Sequence, residues 1–229
     1  MHRKKLIVLS GAGISAESGL KTFRDGDGLW ENYSIYEVAT STAYKKNPQL
    51  VLDFYNMRRR DIAAAMPNAA HFALAELEKD FDVHIITQNI DDLHERAGST
   101  KVLHLHGEIF KQCNPDKTII SPCRGDIMLG DTASDGSQFR PFIVWFEEDV
   151  PEIPNAINLV ESADIFLIVG TSLQVYPAAS LLQFAPDDIP VYVVDRSIPT
   201  LPYGHGFHLI EQPATIGIIE FAKQIRELA

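Results

Sequence analysis

A continuous apolar strand that leads directly into a glycine turn most constrains what this chain can fold into. Residues Leu6 to Leu9 are all apolar, and Gly11, Gly13 and Ala16 follow in the spacing Gly-x-Gly-x-x-Ala. After a parallel strand, such a turn lets the backbone approach a pyrophosphate, and the next helix offers its first N–H groups. A plain strand-to-helix connection explains the motif about equally well when it stands alone. Its place at the first strand favours a dinucleotide site.

Further apolar runs predict a Rossmann-like α/β fold. They span residues 83–86, 165–169 and 191–194, with helical patterns at residues 67–79 and 216–228. Buried parallel strands have continuous apolar sequences, and their alternation with helices is typical of a doubly wound sheet. We expect the first of these helices to open at Pro67 and Asn68.

Two segments interrupt this alternation. Residues 33–66 predict a helical block without a strand, and residues 107–140 are poor in pattern and rich in Gly, Asp, Ser, Pro and Lys. We interpret both as a small lobe inserted twice. The Rossmann-like domain with the dinucleotide site would then consist of residues 1–32, 67–106 and 141–229.

The residues after the glycine turn argue against hydride transfer. A dehydrogenase would continue into a helix, a second strand and an acidic ribose-binding residue about 20 positions on. Here residues 22–30 have the sequence of a loop instead. The sequence therefore predicts a bound dinucleotide without dehydrogenase chemistry.

The net charge and the cysteine content indicate which partners and which cell compartment to expect. The net charge of -11 repels phosphate backbones, so we expect no nucleic-acid partner. Lysine-bearing proteins would suit an acidic surface, although solubility alone explains it more simply. No apolar run approaches the roughly 20 residues that span a bilayer, and two cysteines make no disulfide framework. We therefore expect a cytoplasmic protein without a membrane partner.

Five separated motifs resemble those of the sirtuin (Sir2) family, in the family's order along the chain. They lie at residues 11–24, 87–91, 104–108, 144–146 and 170–175. The resemblance, to the bacterial class III type, implies an NAD-dependent protein-lysine deacylase. Such an enzyme moves the acyl group from lysine to ADP-ribose, which gives free lysine, nicotinamide and O-acyl-ADP-ribose. Many members are monomers, and we expect one here.

The resemblance assigns the chemistry to His106 and Asn89. His106 would deprotonate a ribose hydroxyl, a task that suits a group titrating near neutral pH. His104, two residues earlier on a predicted strand and so on the same face, is interpreted as structural. Asn89 and Asp91 would hold the nicotinamide carboxamide, although Asp91 is also a candidate helix cap. The other residues assigned to the cofactor are Gly11, Ala12, Gly13, Ile14, Glu17, Phe23, Arg24, Trp30, Gln88, Ile90, Gly170, Thr171, Ser172, Asp195 and Ala214.

Tyr55 and Arg58 resemble the Tyr-x-x-Arg acyl-pocket motif of class III sirtuins. Three residues apart on a helix, they share a face, and an arginine fork matches the carboxylate of a succinyl or malonyl chain. Acetyl-lysine would also be accepted. The following Arg59 and Arg60 are interpreted as a solvated charged face. The segment assigned to the acyl-lysine peptide is Val144, Trp145 and Phe146.

The sequence departs from the family's pattern in three respects. Cys113 and Cys123 are not arranged in the two Cys-x-x-Cys pairs of a structural zinc site, so we expect a zinc-free lobe. Two thiols with Asp116 remain the alternative metal site. Glu147 stands where a glycine is frequent, and Asp195 stands where many relatives have asparagine.

Two other functions stay open. An NAD glycohydrolase or ADP-ribosyltransferase would use the same pocket without acyl-lysine, which the Tyr55–Arg58 pair disfavours. A non-catalytic module that senses NAD or binds acyl-lysine is disfavoured by the presence of His106, Asn89 and Asp91.

Overall fold

The structure, a computed structural model, describes residues 3–22, 29–30, 33–202 and 206–227, with only the backbone for 29–30. In chain order its elements are β1 (Lys5–Ser10), α1 (Gly13–Ala16), β2 (Leu29–Trp30), β3 (Tyr33–Ser34), α2 (Ile35–Val38), α3 (Ser41–Lys46), α4 (Pro48–Ala64), α5 (Ala69–Leu77), β4 (Asp82–Thr87), α6 (Leu93–Arg96), β5 (Val102–His104), β6 (Gly107–Cys113), β7 (Ile120–Pro122), β8 (Arg140–Ile143), α7 (Ile153–Glu161), β9 (Ile165–Val169), a 3₁₀ helix (Ala178–Phe184), β10 (Val191–Asp195), β11 (Phe207–Glu211) and α8 (Ala214–Arg226).

Six parallel strands form the central sheet, in the order β11-β10-β9-β1-β4-β5. From β1 the chain builds outward first through β4 and β5, and later through β9 to β11 on the other side. The reversal of strand order lies between β1 and β9, where Ser10 is in register with Val169. Open α/β sheets bind ligands at the carboxyl ends of the strands beside such a reversal.

Helices cover both faces of the sheet, which confirms the predicted α/β fold. Leu6 and Val8 face the core formed with α5 and α8, whereas Ile7 and Leu9 face the core formed with α7 and the 3₁₀ helix. Because successive side chains of a strand point to opposite faces, a strand covered on both sides is apolar at every position. The four strands predicted from continuous apolar runs are therefore all present.

The predicted start of α5 is wrong by two residues. Asn68 is its N-cap, since the Asn68 side chain accepts a hydrogen bond from Ala70 N at 2.9 Å. The His71 ring in turn accepts from Asn68 N at 3.3 Å. An N-cap residue lies outside the helix, so Pro67 precedes the helix and does not open it.

The small lobe contains more strand than the sequence predicted. The first insertion begins with β3, which pairs with β2, before α2, α3 and α4 follow. The second insertion is not irregular, because β6 pairs with β7 and β8 in an antiparallel sheet. Phe54 and Tyr55 of α4 share one apolar core with Ile109 and Ile143 of that sheet. The predicted domain limits stay predictions, and β8 crosses the one placed at residue 140.

The interpretation of Arg59 as a solvated residue is wrong. Its side chain is 1% exposed, its Nε donates to Ile109 O at 2.9 Å and its Nη1 donates to Asn56 Oδ1 at 2.7 Å. Arg59 therefore ties α4 to β6 inside the lobe. Arg60 is solvated as predicted, with a side chain 60% exposed and an ion pair to Asp126.

Polar contacts hold the second insertion together. Glu148 accepts hydrogen bonds from Arg140 Nη1 at 2.6 Å and from Lys117 Nζ at 2.9 Å. The thiols of Cys113 and Cys123 face different carbonyl oxygens, those of Pro141 and Gly125. Across the described ranges, no cluster of three or more His, Cys, Asp or Glu side chains could hold a metal ion. A zinc-free lobe stays a prediction.

None of the helices in the described part of the chain combines the length and the apolar sequence that a bilayer crossing requires.

Candidate active site

The glycine turn after β1 packs directly against the end of β9. Gly11 N donates to Val169 O at 3.0 Å, and Gly13 N donates to Gly170 O at 2.8 Å. A Cβ atom at Gly13 would lie 2.7 Å from Gly170 Cα, and Gly170 itself has a φ of +61°. Glycines are therefore needed where the loops after β1 and β9 meet at the strand-order reversal. Close packing of these loops is thus a reason for the glycines in addition to dinucleotide binding.

A buried polar cluster joins the first and second motifs. Asn89 Nδ2 donates to Gly11 O and to Ser15 Oγ, both at 3.2 Å, and Ser15 Oγ donates to Asp91 Oδ2 at 3.1 Å. Asn89 is 7% exposed and Asp91 5%. Burial raises the pKa of Asp91 above its ordinary value. Asp91 Oδ1 also accepts from Leu93 N at 3.1 Å, so the carboxylate serves the turn into α6 as well as the site.

Ser15 was missed by the sequence analysis. It lies in α1, within the glycine motif, and its hydroxyl links Asn89 and Asp91. The signal was its place in the motif, four residues after Gly11, which puts it in the first turn beyond the glycines.

Gln88 connects the second motif to the last one. Its Nε2 donates to Thr171 Oγ1 at 2.9 Å, and its N–H donates to Ser10 O at 2.9 Å. Thr171 is 7% exposed and follows Gly170 at the end of β9, whereas Ser172 is half-buried. Residues from three separate motifs thus meet beside the strand-order reversal, as the resemblance implied.

His106 contacts Gln88 through one ring nitrogen. Its Nδ1 lies 2.9 Å from Gln88 O. A carbonyl oxygen only accepts, so Nδ1 carries the proton and Nε2 is the acceptor of the neutral ring. Burial lowers the pKa of His106 below the usual 6.5, which keeps the ring neutral at pH 7. The geometry therefore supplies a base with a defined tautomer.

His104 does not share a strand face with His106, which corrects the sequence interpretation. β5 ends at His104, and His106 lies in the turn before β6. His104 Nδ1 lies 3.1 Å from Asn89 O, and its Nε2 lies 2.7 Å from Glu95 Oε1. Burial disfavours the charged ring, but the bond and the charge of Glu95 outweigh burial and raise the pKa of His104.

Tyr55 and Arg58 lie on one side of α4, inside the small lobe. Tyr55 is 1% exposed and Arg58 5%. The Tyr55 ring centroid is 6.2 Å from that of Trp145, which is itself 2% exposed. Burial raises the pKa of the Tyr55 hydroxyl far above its usual 10.0, so it stays a hydrogen-bond donor. The structure thus joins Tyr55 to a residue of the predicted peptide segment.

Val144 to Phe146 follow β8 and do not belong to a strand of their own. Val144 N donates to His106 O at 2.9 Å, and Phe146 N donates to Ala39 O at 2.9 Å. The segment therefore runs from the histidine to the helical block. Phe146 is 40% exposed.

Glu147 adopts a left-handed backbone, with φ of 74°. Its Oε2 accepts from Ser41 Oγ at 3.0 Å, from Thr42 N at 3.0 Å and from Thr42 Oγ1 at 2.8 Å. A glycine would adopt this conformation without strain. In this chain the carboxylate instead fastens the peptide segment to the first turn of α3.

Glu17, one of the residues predicted to bind the cofactor, contacts the first turn of α8. Its carboxylate accepts from Thr215 N at 3.0 Å and from Thr215 Oγ1 at 2.8 Å, next to Ala214. Asp195 ends β10 and accepts from Ser197 N at 3.1 Å. Thr215 was not predicted, and its signal was its position beside Ala214.

The remaining predicted residues divide into three groups. Ile14 is fully buried in the sheet core, so its side chain cannot reach a ligand, whereas Ala12 is half-buried in the turn. Ile90 packs on the lobe core, and its carbonyl accepts from Ile109 N at 2.9 Å. The predicted residues that lie outside the described residues are Phe23, Arg24 and the side chain of Trp30.

Comparison with known proteins gives a family match over most of the chain. The model of the Sir2 family matches residues 11–177. An NAD-dependent protein deacylase of Helicobacter pylori is 52% identical over 227 residues, which cover 99% of either chain. An NAD-dependent protein deacylase of Bacteroides thetaiotaomicron is 49% identical over 224 residues, 95% of this chain and 96% of the relative.

Solved structures give the same result for the fold. A variant Sir2 homologue in complex with ADP-ribose has a TM-score of 0.90 and 35% identity, covering 99% of this chain and 93% of that chain. A complex of a Sir2 homologue with NAD has a TM-score of 0.88, also with 35% identity, covering 99% and 91%.

Proposed function

The chain belongs to the Sir2 family and is an NAD-dependent protein deacylase, and on that premise we propose that it removes succinyl and malonyl groups, and also acetyl groups, from protein lysines. The products would be the free lysine, nicotinamide and O-acyl-ADP-ribose.

The observation that carries the deacylase assignment is the placement of His106 against Gln88. The bond to Gln88 O leaves Nε2 as the acceptor, and the lowered pKa of His106 keeps that nitrogen unprotonated at pH 7. A base of this kind can take a proton from a ribose hydroxyl. Val144, the first residue of the peptide segment, is bonded to the same histidine's carbonyl, which supports an acyl-lysine arriving beside it.

The residues present fit a dinucleotide. The amide of Asn89 and the carboxylate of Asp91 are complementary to a carboxamide, and we assign them to the nicotinamide end. We assign Gln88 to the ribose hydroxyls, and its hydrogen-bond partner Thr171, with Ser172 and Ala214, to the adenosine side. When bound, NAD supplies a ribose carbon from which nicotinamide can leave. The chain's own part is to orient that sugar and to accept a proton at His106 Nε2.

Tyr55 and Arg58 support the preference for acyl chains that end in a carboxylate. Both side chains are buried, and the Tyr55 ring lies next to Trp145 of the peptide segment. A guanidinium can hold a carboxylate through two parallel hydrogen bonds, and a protonated tyrosine hydroxyl can donate a third. These interactions gain strength in a water-poor pocket.

The proposal extends to partners and compartment. The substrates are acylated lysine side chains of proteins, and the net charge of -11 supports a surface that avoids nucleic acid. We also assign a monomer that works in the cytoplasm without a membrane partner. Its two cysteines are unpaired and buried, which suits a reducing compartment.

The experiment that tests this proposal compares matched succinyl-lysine and acetyl-lysine peptides with NAD, without added metal, by mass spectrometry. Arg58→Met should lower desuccinylation by at least about 10-fold, the loss expected for a charge-assisted hydrogen bond, and leave deacetylation nearly unchanged. Arg60→Met is the matched control, because Arg60 is exposed on the same helix.

Two results would contradict parts of the proposal. Equal loss of both activities in Arg58→Met would rule out Arg58 as the residue that binds the acyl carboxylate. NAD cleavage that needs no peptide would support the glycohydrolase instead.

A further inference from the structure

His104 links two parts of the site that are separate in sequence. It is the last residue of β5, and its side chain is 8% exposed. Its Nδ1 lies 3.1 Å from Asn89 O and its Nε2 lies 2.7 Å from Glu95 Oε1. Because a carbonyl oxygen and a carboxylate both accept, the ring satisfies both contacts only when it carries two protons. The ring then forms a charged bridge between the second motif and α6.

The segment from Asn89 to α6 is held at other points as well. Ser15 bonds the side chains of Asn89 and Asp91 on one side. Arg96 donates to Ile62 O at 3.2 Å and thereby fastens the end of α6 to α4. Neither contact reaches the backbone carbonyl of Asn89. His104 contacts that carbonyl, and this contact orients the peptide group between Asn89 and Ile90.

The charged groups around His104 favour its protonated form. Glu95 bonds it directly, and Glu108 and Asp91 lie near enough to interact electrostatically. His94, a neutral buried ring, is the other titratable neighbour. Glu108 has its own partner, Lys111, at 2.6 Å. The pair with Glu95 is therefore the one that orients the ring.

We propose that His104 and Glu95 are positioning residues that hold the Asn89 backbone, and through it the nicotinamide end of NAD, in place for the reaction. The proposal rests on the deacylase function, in which Asn89 contacts nicotinamide. His104 itself does not touch the reacting atoms. Its role differs from that of His106, which acts as the base.

Binding measurements separate this role from a general structural one. His104→Phe keeps the ring volume without hydrogen bonds, Glu95→Gln removes the charge, and Glu108→Gln is the matched control. By calorimetry, His104→Phe should weaken the binding of NAD about 10-fold. The affinity for ADP-ribose, which lacks nicotinamide, should stay within about two-fold of the wild-type value. Glu95→Gln should give a smaller loss of the same kind, and the control none.

Kinetics provide a second measurement. In His104→Phe, kcat/KM for NAD should fall while KM for the acyl peptide stays unchanged. His104→Gln should recover part of the loss, because its amide N–H can donate to Asn89 O. If His104→Phe does not fold, Glu95→Gln takes its place in both measurements.

Two outcomes would overturn the proposal. One is unchanged discrimination between NAD and ADP-ribose in folded His104→Phe or Glu95→Gln protein. The other is an equal loss for NAD, ADP-ribose and peptide together, which would indicate a merely structural role. If the wild-type protein binds NAD but removes no acyl group, the deacylase function fails, whereas the ratio of NAD to ADP-ribose affinity still decides on His104 and Glu95.

Discussion

His104 and His106 are two residues apart, and each directs its ring Nδ1 at the carbonyl of one of two consecutive residues, Asn89 and Gln88. Their protonation nevertheless differs. The Glu95 carboxylate overcomes the effect of burial and raises the pKa of His104, whereas burial lowers the pKa of His106. The chain thus directs two histidine rings at neighbouring carbonyls, favours the protonated form of His104 and leaves His106 able to accept a proton.

The proposed base role of His106 predicts an acidic limb in the pH dependence of deacylation. Since the pKa of His106 lies below 6.5, kcat/KM should be constant around pH 7 and fall below its depressed pKa as the ring is protonated. His106→Gln should lower the rate about 100-fold or more. A steady-state pH profile on acyl peptide checks both. If the acidic limb keeps the same midpoint in His106→Gln, the limb comes from the titration of another group.

A buried histidine pair predicts loss of stability in mild acid. His71 is 0% exposed and His94 1%, and their ring centroids are 4.9 Å apart. Burial lowers the pKa of His71 to about 4 and that of His94 well below 6.5. As the pH falls, the unfolded chain therefore protonates these histidines at a higher pH than the folded protein does. Stability is full above about pH 6.5 and should fall by about 1.4 kcal/mol per pH unit for each group as the pH drops towards 4.

Urea unfolding at about pH 7.5 and pH 5 measures this effect. His94→Gln, which cannot be protonated and can still bond Ser10, should show a smaller drop between the two pH values. His208→Gln, an exposed histidine on β11, is the control. His104 has the opposite sign, because its raised pKa adds stability that is lost as pH rises through that pKa. An equal drop in His94→Gln and wild type would exclude His94 as a cause.

Three consecutive arginines of α4 predict three different outcomes when each is changed to Met. Arg58→Met should affect acyl specificity, as argued above. Arg59→Met should destabilise the fold by about 1–3 kcal/mol, because Ile109 O would be left buried without its donor. Arg60→Met should stay within about 0.5 kcal/mol of wild type. Denaturant unfolding of the three variants checks the order, and equal stabilities for Arg59→Met and Arg60→Met would contradict it.

Two substitutions of Glu147 should separate the effect of its strained backbone from the effect of its side-chain hydrogen bonds. Glu147→Ala loses the bonds to Ser41 and Thr42 and keeps the strained φ of 74°. Glu147→Gly loses the same bonds but removes the strain. We therefore expect the Ala variant to melt at the lowest temperature, and both variants to raise KM for peptide several-fold. Calorimetry and peptide kinetics test this, and an Ala variant as stable as Gly would show that the backbone there is unstrained.

The central sheet and the catalytic motif were predictable because each has a local signature. A strand buried on both faces is apolar throughout, as in Ile165–Val169. Edge strands lack that signature. β11 has exposed His208 and Leu209 between less exposed neighbours, so it was not predicted, whereas half-buried β5 was predicted only as a strand that carries both His104 and His106. The antiparallel strands β6 to β8 were missed because none of them has a continuous apolar sequence, although β6 is the central strand of its sheet.

The fold class and the sheet core could be predicted because periodicity is a local property, and the family's motifs located most of the residues that meet at the strand-order reversal. Which charged side chains are buried, and what they contact, follows only from the packing of distant elements. Arg59 bonds a residue 50 positions away, and Glu147 bonds one 105 positions away. His104 became a partner of Asn89 because β5 ends beside the second motif. Such contacts depend on how elements pack, and packing brings together residues whose separation along the chain has no periodicity to reveal it.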